Sequence, residues 1–237
     1  MSRKRLGIIG GMGSVAAAYL FKRIVELTPT SIDQEYIETI VHNNTAVPDR
    51  TKGILYGGES PYPELLRSTQ LLNSAGADFI VIACMTSHHF IGELQKRSKA
   101  RFIDAIEETA DLVRERYPGL KRAGVLASTG AMKLGLFQKK LAAKGIESVI
   151  LSDAQQQTHF MDPIYEEWGI KAGHITGKPK ERFREAVEIL RKSGAEALVA
   201  GCSELPLVLK QEELSMPLID ANEIQAQKAV ELCFGGR

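Results

Sequence analysis

Asp78-Phe79-Ile80-Val81-Ile82-Ala83-Cys84-Met85-Thr86-Ser87-His88 is the stretch that decides the fold, because a run of apolar β-formers ends in a thiol, two hydroxyls and an imidazole. A buried parallel strand delivers chemistry at its carboxyl end in this way. The stretch has an echo. Ser74 to Cys84 lies over Lys192 to Cys202 without a gap, and in each copy the cysteine follows a glycine, Gly76 or Gly194, by eight residues. A second echo lays Leu6-Gly7-Ile8-Ile9-Gly10-Gly11-Met12-Gly13 over Ala123-Gly124-Val125-Leu126-Ala127-Ser128-Thr129-Gly130 at an offset of 117, against 118 for the cysteines. Two independent matches at almost one offset imply a duplicated unit. Cys84 and Cys202 then occupy equivalent strand ends, and halves set face to face would put two thiols on opposite sides of one cleft. Two opposed acid/base groups are what moving a proton from one face of a carbon to the other requires.

Working outward, the pattern predicts strands over residues 6–9, 36–42, 79–83 and 102–104, separated by helices over 15–27, 61–74, 93–99 and 105–117. The second half repeats the order, with strands at 123–126, 148–151 and 197–200 and helices at 134–144 and 180–193. Residues 43–51 and 153–163 read as polar loops. Strands spaced by helices of this length imply parallel sheets with right-handed crossovers. The expected architecture is therefore α/β, with two similar, pseudo-symmetric three-layer domains. Pro118-Gly119 marks the boundary, giving a first domain over 1–117 and a second over 118–209. The tail 210–237, in which 218–220 and 223–234 form one further βα unit, is expected to complete the first domain.

With 30 Lys plus Arg against 29 Asp plus Glu, and no basic cluster beyond Arg3-Lys4-Arg5, no nucleic-acid partner is expected. A small polar ligand is the default. Three cysteines do not make a disulfide framework, which suits a reducing, cytoplasmic setting. Arg3-Lys4-Arg5 and the apolar run after it look somewhat like a signal peptide, but cleavage there would remove the strand and glycine turn that the second half repeats. No run reaches the roughly 18 apolar residues that span a bilayer, so no membrane partner is expected.

The turn Gly11-Met12-Gly13-Ser14-Val15-Ala16 fits the dinucleotide pattern G-x-G-x-x-A after a strand. The second strand ends in His42-Asn43-Asn44 rather than an acid, and the repeat at Ala127 to Gly130 drops the pattern. An anion-binding turn suited to a carboxylate is the better reading, with Ser128 and Thr129 supplying matching hydroxyls and amides in the second half. No cofactor is expected. One buried thiol is explained by packing, but packing gives no reason for both copies to continue into hydroxyl and acidic residues, Met85-Thr86-Ser87 and Ser203-Glu204. Neither cysteine belongs to a C-x-x-C pair, and the adjacent His88 and His89 point apart, so no metal site is expected. Helix N-termini behind both cysteines would favour the thiolate.

Six motifs in order carry a resemblance to a known family: Gly10-Gly11-Met12-Gly13, Pro48-Asp49-Arg50-Thr51, Ala83-Cys84-x-Thr86-x-His88, Ala127-Ser128-Thr129-Gly130, Ile164-Tyr165 with Ile170-Lys171, and Gly201-Cys202-Ser203-Glu204-Leu205. Over essentially its whole length the chain resembles the cofactor-independent aspartate/glutamate racemase superfamily. The resemblance implies an active site in the cleft between the two domains, a two-base mechanism at Cα using Cys84 and Cys202, a small acidic amino acid as substrate, and a homodimer. It also implies that Arg50 and Lys171 hold the side-chain carboxylate, that Met12, Thr86, Ser128, Thr129, Ser203 and Glu204 complete the substrate site, and that His88 assists the first thiol. One departure is Met85, where the family has an asparagine whose amide holds the α-carboxylate. A thioether cannot donate that hydrogen bond. Either Thr86, Ser128, Thr129 and backbone amides take over, or the substrate is not an ordinary free α-amino acid. Cis-trans isomerisation of a diacid, decarboxylation of a malonate, and non-catalytic carboxylate binding are the alternatives.

Overall fold

A computed structural model describes residues 4–234. Arg3, first of the basic triplet, lies outside the described residues. The first half runs β1 (Leu6–Gly10), α1 (Ser14–Leu27), β2 (Thr39–Asn43), α2 (Arg50–Leu55), α3 (Tyr62–Ser74), β3 (Phe79–Ile82), α4 (Ile91–Gln95), β4 (Arg101–Phe102) and α5 (Ala105–Arg116). The second runs β5 (Arg122–Ala127), α6 (Thr129–Leu134), α7 (Leu136–Ala143), β6 (Glu147–Val149), α8 (Asp153–Gln156), α9 (Asp162–Tyr165), α10 (Lys178–Lys192), β7 (Ala197–Gly201), β8 (Leu218–Asp220) and α11 (Ala221–Phe234). Each half builds a four-stranded sheet, ordered β2-β1-β3-β4 and β6-β5-β7-β8, with every pairing parallel. Helices flank both sheets, so the chain is α/β and its two sheets share one topology.

The repeat extends to register. Leu6 pairs with Phe79 in the first sheet, and their counterparts Ala123 and Ala197 pair in the second. The helix before each cysteine strand buries the same stripe, Leu65, Ser68, Thr69 and Leu72 on α3 and Phe183, Ala186, Val187 and Leu190 on α10. That i, i+3, i+4, i+7 spacing is one face of a helix, and full burial of each large apolar member stabilises the fold by about 1.5–3 kcal/mol. Even the seating is repeated: a Cβ on Gly7 would meet Leu72 Cδ1 at 2.8 Å, and one on Gly124 would meet Leu190 Cβ at 3.2 Å. Glycine in the central strand lets the leucine of the covering helix settle onto the sheet.

Alternation along β3 sorts its side chains between two cores. Ile80, Ile82 and Cys84 pack with Leu65, Leu72 and Leu94, whereas Val81 and Ala83 pack with Leu20 and Ile24 of α1 and Ala226 and Ala229 of α11. In the second half Leu198, Ala200 and Cys202 join Phe183 and Leu190. Both cysteines therefore lie on the equivalent face of equivalent strands.

Three expectations are corrected. The strand at 218–220 does not return to the first sheet: it pairs with β7 as the fourth strand of the second sheet, the place that β4 holds in the first. The compact units are accordingly Met1–Glu108 with Asn222–Arg237, and Thr109–Ala221, so the division falls inside α5 and at the start of α11. The polar segment 43–51 ends in α2, whose N-cap Asp49 accepts a hydrogen bond from Lys52 N at 2.7 Å. The segment 153–163 is helical throughout, as α8, a π-helical turn Gln157–Met161 and α9. A Ser152–Gln155 capping box starts it, and Phe160 and Ile164 anchor it in the core. Among the described residues no helix is long and apolar enough to cross a membrane.

Candidate active site

In the first unit the candidate residues gather at the carboxyl ends of β1 and β3. The turn after β1 is tight because it rests on the end of β2. Gly11 has φ +92°, and a Cβ there would fall 2.2 Å from the Asn44 carbonyl oxygen, so only glycine fits. The glycine pattern is thus explained by close backbone packing. Arg50, at the start of α2, is buried, and its guanidinium donates to the Met12 carbonyl at 2.7 Å and the Pro48 carbonyl at 3.2 Å. Ser87 Oγ donates to Met12 Sδ at 3.1 Å. Met12, Arg50 and Ser87 are therefore brought together.

Cys84 is buried and extended, the last residue before the 3-10 run Met85–Phe90. Met85, Thr86 and His88 are buried with it. His88 Nδ1 lies 3.1 Å from the Cys84 carbonyl oxygen, which only accepts, so Nδ1 carries the hydrogen. Nε2 then accepts from Gln225 Nε2 at 3.4 Å. Burial pushes the imidazole below its usual range, opposed by the Asp104 charge and the Cys84 carbonyl. His88 is a neutral clamp on the backbone of the cysteine turn. His89 packs edge-on against the Phe90 ring, with centroids 4.9 Å apart.

In the second unit Ser128 caps α6, its hydroxyl accepting from Ala131 N at 3.3 Å, and Thr129 N donates to Met161 Sδ at 3.5 Å. Gln156 holds the preceding Ala127 carbonyl at 2.8 Å. The remaining candidates form one cluster around Glu204. Cys202 Sγ donates to Glu204 Oε2 at 3.0 Å, Ser203 Oγ donates to the same oxygen at 3.0 Å, and Lys171 Nζ lies 3.4 Å from Oε1 and 5.2 Å from the centre of the Tyr165 ring. Cys202, Ser203 and Glu204 are buried, and the Lys171 side chain is 28% exposed.

The expected helix behind each cysteine is slight. Only the 3-10 run and five-residue α4 follow Cys84, and a single 3-10 turn, Leu205–Leu207, follows Cys202. Short turns sum little dipole, so local groups govern these thiols. Cys84, Cys202 and Cys233 are buried and take part in no disulfide. Among the described residues no three of His, Cys, Asp and Glu converge as a metal site would need. Gln225, Gln156 and Tyr165 support the site without a sequence signal for those roles; only Tyr165 belongs to a quoted motif.

The family model of Asp/Glu/Hydantoin racemases matches residues 9–229, a span that includes both strand-end cysteines. The chain belongs to this family. It is an enzyme, an isomerase of the racemase class. Among solved structures, the aspartate racemase of Picrophilus torridus superposes with a TM-score of 0.82 at 26% identity, over 98% of this chain and 94% of that one. The broad specificity amino-acid racemase of Bacillus subtilis is 21% identical over 229 residues, 95% of this chain and 96% of its own length. A glutamate racemase of Desulforudis audaxviator is 30% identical over 164 residues, 67% of this chain and 56% of that longer protein.

Proposed function

We propose that this chain racemises aspartate or glutamate at Cα without a cofactor, with Cys84 and Cys202 as the two acid/base groups. The observation that carries the proposal is the equivalence of the two thiols, each ending the third strand of its half and each on the face covered by the repeated helix. One thiolate takes the Cα proton, the other thiol delivers a proton to the opposite face, and the roles reverse for the other enantiomer. Arg50 and Lys171 supply the positive charge for the distal carboxylate, a charge-assisted contact. Lys171 would exchange Glu204 for the substrate in doing so. Three cysteines with no disulfide among them fit a cytoplasmic enzyme, and the family resemblance supports a homodimer, which sedimentation in solution by analytical ultracentrifugation would check.

The test is exchange of the α-hydrogen in D2O, followed by NMR for each enantiomer of aspartate and glutamate. Deuterium at Cα together with racemisation is expected for one acidic amino acid. Cys84→Ala and Cys202→Ala should each abolish racemisation. On a β-substituted analogue, whose elimination needs only the abstracting base, each variant should keep activity toward a different enantiomer. No exchange with any acidic amino acid, or both enantiomers lost with one variant and kept with the other, would overturn the two-base reading.

A further inference from the structure

We propose that Glu204, with Lys171 as its counter-ion, is a positioning residue that holds Cys202 in the thiol form, so that Cys202 is the proton-donating member of the pair in the resting enzyme. The proposal rests on the two-base reading for its catalytic meaning and on the Glu204 cluster for its chemistry. Three donors converge on one buried carboxylate: Cys202 S–H and Ser203 O–H on Oε2, and the Lys171 ammonium beside Oε1. The Lys171 ammonium, a donor that cannot accept, favours an ionised carboxylate, and an ionised Glu204 accepts from both the thiol and the hydroxyl. A Cys202 thiolate 3.0 Å from it would set two like charges together, which favours the protonated thiol.

The first half differs in sequence at this point. At the repeat offset Glu204 corresponds to Thr86, and Met85-Thr86-Ser87 contains no acid. His88 is spent on the Cys84 carbonyl. The duplicated strand ends therefore carry two unlike thiols. In the turnover that starts from this state, the two-base reading gives removal of the Cα proton to Cys84, acting as thiolate, and Cys202 gives its S–H proton to the opposite face of Cα. Water then re-protonates the Cys202 thiolate, and Cys84 returns its proton to solvent.

The experiment is the pH dependence of alkylation of Cys202 by iodoacetamide in the full-length, substrate-free protein, read on the Cys202 peptide by mass spectrometry. Glu204→Gln removes the negative charge and should move the reactive limb to lower pH, raising the rate near neutrality by about tenfold or more. Lys171→Met leaves the carboxylate uncompensated and should move it the other way by a similar factor. Opposite displacements are what a purely structural role would not produce. Unchanged profiles in both variants overturn the proposal and leave the deuterium-exchange result standing. Displaced profiles with impaired racemisation agree with both readings, whereas displaced profiles in a parent enzyme that exchanges no α-hydrogen in D2O would overturn the two-base reading and leave the Glu204 effect standing. Should Glu204→Gln fail to fold by circular dichroism, Lys171→Met decides alone, an unchanged or faster rate being the overturning result.

Discussion

His88 shows how a side chain with acid/base potential can be committed to structure. Its tautomer is set by a carbonyl on one side and an amide on the other, and both partners are protein groups. The buried ring resists protonation, whereas an unfolded histidine protonates around pH 6.5. Below that pH the unfolded chain binds more protons than the folded one, so this contribution to stability is present above it and is lost as pH falls. Urea midpoints should therefore fall on acidification, and His88→Gln, which keeps an N–H donor for the Cys84 carbonyl, should lessen the slope. An equal slope in the variant would reject this account. Cys233 is the opposite case among the thiols: burial pushes it up to about 12, so alkylation near neutrality should leave it for last.

At the scale of elements, the helix that closes the first unit is the one most removed from it in sequence. α11 seats Ala226, Ala229 and Cys233 against β1 and β3 and is latched to α1 by a two-pronged contact, Arg23 Nε and Nη2 each 2.8 Å from a Glu223 oxygen. The pair is partly exposed, with side chains 27% and 26% accessible, which limits its worth to about 1 kcal/mol. Arg23→Ala should lower stability by that amount and speed amide exchange across 221–234 more than across β1. Uniform protection loss would place the effect elsewhere. α11 also brings Gln225 to His88, so loosening it should unsettle the cysteine turn.

For the whole molecule, the duplicated topology produces two chemically unlike ends. In one, an imidazole clamps the Cys84 carbonyl and a buried arginine holds the Met12 turn; in the other, the thiol lies within a Lys–Glu–Ser cluster. The two thiols are themselves groups that can take and give a proton at Cα. Activity is therefore expected to survive exhaustive dialysis against chelator, with no cofactor absorbance in the purified protein. Activity lost on dialysis and restored by zinc or by pyridoxal phosphate would refute the thiol mechanism.

The repeat, the strands that end in Cys84 and Cys202, and the stripes that bury α3 and α10 are all determined by local pattern, since period and spacing along the chain fix which face is apolar. Tertiary structure alone decided the rest. Residues 153–163 carry glutamines and a histidine that read as loop, yet burial of Phe160, and of Ile164 just beyond them, outweighs that polar surface and makes them helical. β8 joins the second sheet because β7 offers it an open parallel edge, and no residue in 218–220 encodes which edge that is. The pairing of Lys171 with Glu204, and of Gln225 with His88 across 137 residues, depends on where helices and turns end in space. Sequence spacing sets a side chain's face, but the charges and hydrogen bonds that tune it come from whatever folding packs alongside.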